Sequence, residues 1–268
     1  MKPTQQLAAA LTLAVATATC LSQMQKPAAP APAVPQPAPG PLNRNTIVLD
    51  AAHGGGDSGS RIGDSTLEKD VTLALAFRLR SLLAARGFTV VMTRENDAAL
   101  RAGAPGAALT LDDRAGTANH ARAVACLLLH ATGAGQGVHL YSSELDAAPV
   151  EAAVLPWLTA QAAWVPQSAQ LEASLGAAMK RAGVPLVSSR ASVRPVDSLT
   201  CPALVVELAP EGDDRASING SDYQQRVAEA IAGALIFWSR QAQSPLRLPS
   251  ERAVNATPAP NNPQGDQP

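Results

Sequence analysis

Aromatic side chains are nearly missing, at 3% of residues, although hydrophobic residues make up 46%. The apolar content is therefore mostly Ala, Val and Leu, which favour tightly packed helices and buried strands. An excess of either charge is also lacking. The 21 Lys and Arg against 22 Asp and Glu leave a net charge of −1 with no basic run, which argues against a sequence-independent grip on nucleic acid. Cysteine is scarce: three in 268 residues cannot build a disulfide framework, and their spacing matches no zinc ribbon. Cys126 and Cys201 precede two strand ends; buried free thiols are expected there, with a disulfide as the alternative. The length suits one well-cored domain or two small ones, and excludes a mini-protein that depends on staples.

The longest apolar stretch, Leu7 to Ala18, follows Lys2 and carries small residues at Ala14, Ala16 and Ala18. It is too short for a comfortable membrane span and reads as an export signal over residues 1–20, so no membrane span is expected. Cys20 stands where a lipoprotein cysteine would, behind a poorly fitting Thr19, which leaves a lipid anchor at Cys20 as an alternative to simple cleavage. Residues 21–41 are rich in Pro and Ala, a tether without the side chains of a core. Residues 241–268 are rich in Pro, Asn, Gln and Ser and read as a disordered tail. The folded unit is therefore placed at 42–240.

Within it, Thr46-Ile-Val-Leu49 is a short apolar run ending at Asp50 and the glycines 54–56, as a buried strand entering a loop would. Leu67, Val71, Leu75, Leu79, Leu82 and Leu83 recur at helical spacing and stop at Gly87, with Glu68 in the first turn. Strands are expected at 88–93, 124–129, 137–141 and 203–206, and helices at 111–122, 171–182 and 223–238. A Gly/Ala/Pro-rich insertion covers 98–108, and the stretch up to Gln170 is less decisive. The alternation predicts a single α/β domain: a twisted, mostly parallel or mixed sheet of about six strands with helices on both faces. Ligand sites in such sheets gather at strand ends.

Three polar residues share that position. His53 follows the first strand, His130 ends the strand at 124–129, and Glu207 ends the strand at 203–206. Glu68 opens the first helix and could reach the same spot. Two imidazoles and one carboxylate are the donor set of a catalytic zinc, which leaves a second carboxylate free to move protons. The chemistry implied is metal-assisted amide hydrolysis.

The segment Ile47-Val-Leu-Asp-Ala-Ala-His53-Gly-Gly-Gly-Asp-Ser-Gly59, followed by Leu67-Glu68-Lys69-Asp70, resembles the zinc-dependent N-acetylmuramoyl-L-alanine amidases that trim bacterial peptidoglycan. Gly87-Phe-Thr-Val-Val-Met-Thr93-Arg94, Leu111-Asp-Asp-Arg114 with Ala118-Asn119, His130, Pro202-Ala-Leu-Val-Val-Glu207 and Tyr223 to Ile231 follow in the family's order. The resemblance implies one zinc ion on His53, Glu68 and His130, with Glu207 as the catalytic carboxylate. It also implies peptidoglycan as substrate and an exported protein of the periplasm or cell envelope. The family's usual glycine before the first histidine is Ala52 here, which is acceptable where the backbone does not need positive φ. The polar surroundings of His130 and Glu207 are altered as well, and the alternative is a weakened amidase-fold protein that binds or regulates the wall. No separate sugar-binding module is present in the sequence, so targeting would rest on the domain surface or on an unidentified activator protein.

His120 and His139 match no block and are expected to be surface or structural residues, and Arg94 and Arg114 to pair with acidic neighbours. Gly56-Asp57-Ser58-Gly59 mimics a serine-protease nucleophile motif, but that reading needs an all-β protein, which the helical stripes contradict.

Overall fold

The first element of the described residues is β1, Asn43–Ala51, which turns from exposed to buried at Thr46. Two-residue strands β2 (Arg61–Ile62) and β3 (Thr66–Leu67) form a small antiparallel hairpin that feeds α1, Glu68–Ala84. Then come β4 (Thr89–Met92), α2 (Leu111–Ala121), β5 (Ala123–Ala131), β6 (Val138–Ser143), α3 (Val165–Arg181), β7 (Leu186–Ala191), β8 (Ala203–Leu208) and α4 (Ser221–Gln243). The structure is a computed structural model and describes residues 42–98, 109–149 and 155–243. The expected export signal and tether, most of the 98–108 insertion and the tail beyond 243 lie outside the described residues.

Six strands form one sheet in the order β4-β1-β5-β8-β6-β7. All neighbours are parallel except β8 and β6. The carboxyl ends of β1, β5 and β8 therefore lie along one edge, with the amino end of β6 beside them. Side chains alternate across the sheet. Leu127 and Leu129 of β5 join the larger core with Val71, Leu75 and Leu79 of α1, Leu171 of α3 and Ile231 of α4. Cys126 and Leu128 face the other way, into a smaller cluster with Val48, Val205 and Ala115 and Ala118 of α2. Helices thus cover both faces, as the alternating pattern predicts.

Local signals explain the boundaries. Gly87, at φ +82°, donates to Ala84 O while Phe88 donates to Leu83 O, closing α1 where the stripe of leucines stops. Thr110 caps α2 in a reciprocal capping box with Asp113. The helix expected at 171–182 begins six residues earlier, at Val165, because Pro166 sits in the first turn, where its missing N–H costs nothing. α4 runs to Gln243, so the ordered unit passes Arg240 by three residues.

Two findings depart from expectation. β7 carries no apolar signal because four of its six residues are exposed at the sheet edge. Cys126 and Cys201 are joined as a disulfide rather than buried as free thiols. β5 and β8 are neighbours, Cys126 pairs with Ala203, and the cysteine two residues earlier comes within reach. No described helix is long and apolar enough to cross a membrane.

Candidate metal centre

His53 sits just past β1 on a backbone at φ 63°, in the left-handed region that residues other than glycine seldom adopt. Its backbone is gripped from beneath. Arg114, buried, donates to His53 O at 2.7 Å, to Ala51 O at 3.0 Å and to Asp50 Oδ1 at 2.6 Å. Arg94, also buried, donates to Ala51 O at 2.8 Å and through one nitrogen to Ala52 O and Lys69 O. The expected acidic partner thus holds for Arg114, whereas these Arg94 contacts fix carbonyls of the β1 end and the α1 start. Ala52 needs no positive φ, and its N–H donates to Leu129 O.

The imidazole of His53 is also oriented. Asp57 Oδ2 lies 2.9 Å from His53 Nδ1, and Asp57 Oδ1 accepts from Gly59 N at 3.0 Å. A carboxylate on Nδ1 holds that nitrogen as a donor, so Nε2 is the nitrogen that would give its lone pair to a metal ion in place of a proton. Nε2 stands 3.2 Å from Glu68 Oε1.

Glu68 begins α1, and the segment leading into β2 rather than a capping side chain satisfies the helix start: Glu68 N donates to Ser60 O and Lys69 N to Ser58 O. Its side chain is buried, with Oε2 accepting from Ser60 N at 2.9 Å and Oε1 from Ala131 N at 3.2 Å. His130, near the end of β5, places Nδ1 2.8 Å from the same Oε1. Burial pushes the Glu68 carboxyl upward, but hydrogen bonds from His130, His53 and the Ser60 amide outweigh it and hold the group well below the usual carboxylate range. It is ionised, as a metal ligand must be.

One ligand atom from each of His53, Glu68 and His130 lies within 4.8 Å of the others, a grouping that could hold a metal ion. Two ligands at zinc distance in a tetrahedron are about 3.4 Å apart, and the separations from Glu68 Oε1 are close to that. The donors, two imidazoles and a carboxylate, are the kind that suits zinc. Gly59, at φ +62°, is required beside them: a Cβ there would fall 2.6 Å from His53 Cδ2 and 2.7 Å from Glu68 Oε2.

Glu207 lies on β8 directly across from His130 in register, so both side chains leave the same face of the sheet. On its other flank it pairs with His139 of β6, whose Nδ1 is 2.8 Å from Glu207 Oε2. Tyr141 donates its hydroxyl to the same oxygen at 3.2 Å. Burial and the neighbouring Glu207 carboxylate push the Tyr141 hydroxyl pKa upward, keeping it a donor. His120 stays on the α2 surface with Nδ1 2.7 Å from Gly116 O, as expected. His139, expected to be a surface or structural residue, and Tyr141, not singled out by the sequence, both flank Glu207; their signal is a polar pair two apart, alternating with buried Val138 and Leu140.

Comparison with known proteins agrees with this architecture. A family model described as N-acetylmuramoyl-L-alanine amidase matches residues 47–236. The germination-specific N-acetylmuramoyl-L-alanine amidase of Bacillus subtilis is 52% identical over 56 residues, which are 21% of this chain and 23% of that protein. The chain thus spans less than a quarter of that curated relative's length. Among solved structures, the amidase Ami1 of Mycobacterium smegmatis superposes with a TM-score of 0.58 at 20% identity, over 75% of this chain and all of that one. The CwlD amidase of Clostridioides difficile, solved in complex with the GerS lipoprotein, superposes with a TM-score of 0.58 at 22% identity, over 74% of this chain and 99% of that one. At these identities the superpositions establish the fold.

Proposed function

The chain belongs to the N-acetylmuramoyl-L-alanine amidase family, and from that premise we propose that it hydrolyses the amide between N-acetylmuramic acid and L-alanine in bacterial peptidoglycan. The observation that carries this reading is the convergence of His53, Glu68 and His130 on one point, with Glu207 across from His130 on the neighbouring strand. His53 Nε2, Glu68 and His130 would hold a single zinc ion. Zinc, when bound, polarises the scissile carbonyl and lowers the pKa of its water towards about 7. Glu207 accepts a proton from the attacking water and delivers it to the leaving L-alanine nitrogen. Its side chain, 23% exposed, is open enough to meet substrate. Asp57 keeps His53 in the tautomer that offers Nε2, and Arg114 and Arg94 hold the loop that aims it.

The Cys126–Cys201 disulfide supports an extracytoplasmic location, since such bonds persist in oxidising compartments. That fits the expected export signal and a substrate in the envelope. The intact donor set favours an enzyme over the wall-binding alternative, which would not need the carboxylate at Glu207.

The test is the appearance of new L-alanine amino termini when the purified domain digests peptidoglycan, read beside its metal content. Glu207→Gln should lower turnover by at least about a thousandfold while zinc stays stoichiometric. Wild-type activity in that variant would overturn the role of Glu207. Absence of new L-alanine termini from zinc-loaded wild type would overturn the amidase reading.

A further inference from the structure

Glu207 is held on one side only. Oε2 faces two donors, His139 Nδ1 at 2.8 Å and Tyr141 OH at 3.2 Å, whereas Oε1 has no hydrogen-bond partner among the described residues. The two carboxylate oxygens are thus chemically distinct before any substrate arrives. His139 itself cannot drift. Its ring edge packs against Gly135, where a Cβ would fall 2.7 Å from both His139 Cε1 and Nε2, and its backbone is tied into β6 opposite Glu207. The side chain is 12% exposed. A clamped ring with Nδ1 towards a carboxylate is the arrangement by which imidazoles are normally oriented, with the roles exchanged: the histidine orients the acid.

We propose that His139, assisted by Tyr141, is a positioning residue for Glu207: it pins Oε2 and turns Oε1 towards the cleft, so that proton exchange with water and the leaving amine runs through Oε1. The proposal rests on Glu207 being the proton carrier. An untethered glutamate would spend most of its time in rotamers that miss the reacting water. The consequence falls on turnover rather than on binding, because His139 reaches the reacting atoms only through Glu207.

The experiment uses the full chain loaded with zinc and a soluble muramoyl-peptide substrate. His139→Leu should lower kcat by about 10- to 100-fold, the loss expected for one hydrogen bond to a charged group, with KM changed less than about threefold and zinc content unchanged. His139→Asn, whose amide nitrogen can stand in for Nδ1, should recover kcat to within about fivefold of wild type. Tyr141→Phe should cost only about two- to fivefold. In a Glu207→Gln background, His139→Leu should have no further effect, since there is no carboxylate left to orient. An impaired Glu207→Gln enzyme with an unimpaired His139→Leu enzyme overturns the positioning role alone. Equal losses in His139→Leu and His139→Asn, or loss of zinc in both, mark His139 as merely structural and also overturn it. An active Glu207→Gln enzyme overturns the reading on which the proposal stands.

Discussion

The loop after β1 and the end of β8 each deliver one side chain to the same edge of the sheet, and they are held there by different means. Glu207 lies on a regular strand, flanked by His130 in parallel and His139 in antiparallel register, so the sheet ladder supplies its position and two side chains only adjust its head group. His53 lies off any ladder, at positive φ, followed by Gly54 and Gly55 at positive φ as well. Its carbonyl accepts from Arg114, that of Ala51 from both Arg94 and Arg114, and that of Ala52 from Arg94 and the Thr72 hydroxyl. A histidine on irregular backbone needs buried cations to satisfy and fix the chain, and Asp50, paired with Arg114, balances part of that charge.

Arg114→Met breaks this comparison most severely. It keeps the apolar stem but leaves Asp50 buried without its cation and His53 O without its donor. The expected loss is about 3–5 kcal/mol in denaturant unfolding, the penalty for removing one partner of a buried pair. Zinc affinity should fall by about 10- to 100-fold. Unchanged zinc affinity in the folded variant would show that the loop holds itself. Gly59→Ala follows in size, at about 1–3 kcal/mol for a left-handed backbone made to carry a side chain, with the new methyl pressing on His53 and Glu68. Isothermal titration with zinc should report weaker binding here too, whereas the Glu207 side of the cleft has no contact to lose. A Gly59→Ala protein that binds zinc as wild type would show that the close approach relaxes without consequence.

The same contrast explains what was legible in the sequence. His130 and Glu207 each stop a run of apolar β-formers and His53 stands three residues past the Asp50 that stops another, so the ends of buried strands announce them, and Glu68 is marked by opening a leucine-striped helix. Residues whose roles depend on which strands become neighbours were not legible. Cys126 and Cys201 are 75 residues apart, and only the β5–β8 pairing brings them together. His139 and Tyr141 meet Glu207 only because β6 turns antiparallel to β8, a reversal that no local pattern encodes. β7 was missed because its exposed residues show no hydrophobic period. Arg94 reads in the sequence as a partner for an acid, yet its guanidinium reaches the carbonyls of Ala51, Ala52 and Lys69, and carbonyls are invisible in a string of side chains.

Ala52→Gly gives the finest resolution of where strain begins. Ala52 is buried and its φ is not positive; its N–H is bonded to Leu129 O, and its carbonyl receives Arg94 and the Thr72 hydroxyl. The ladder's hydrogen bonding therefore reaches the Ala52 N–H, one residue past the end of β1, and the strained loop starts at His53. On that geometry glycine relieves nothing. It adds freedom to the unfolded chain and removes a packed methyl, for a loss of about 0.4–1 kcal/mol, while zinc affinity stays within about twofold. A gain in stability instead would mean that Ala52 shares the strain of His53, and would move the boundary between the two modes of support back into β1.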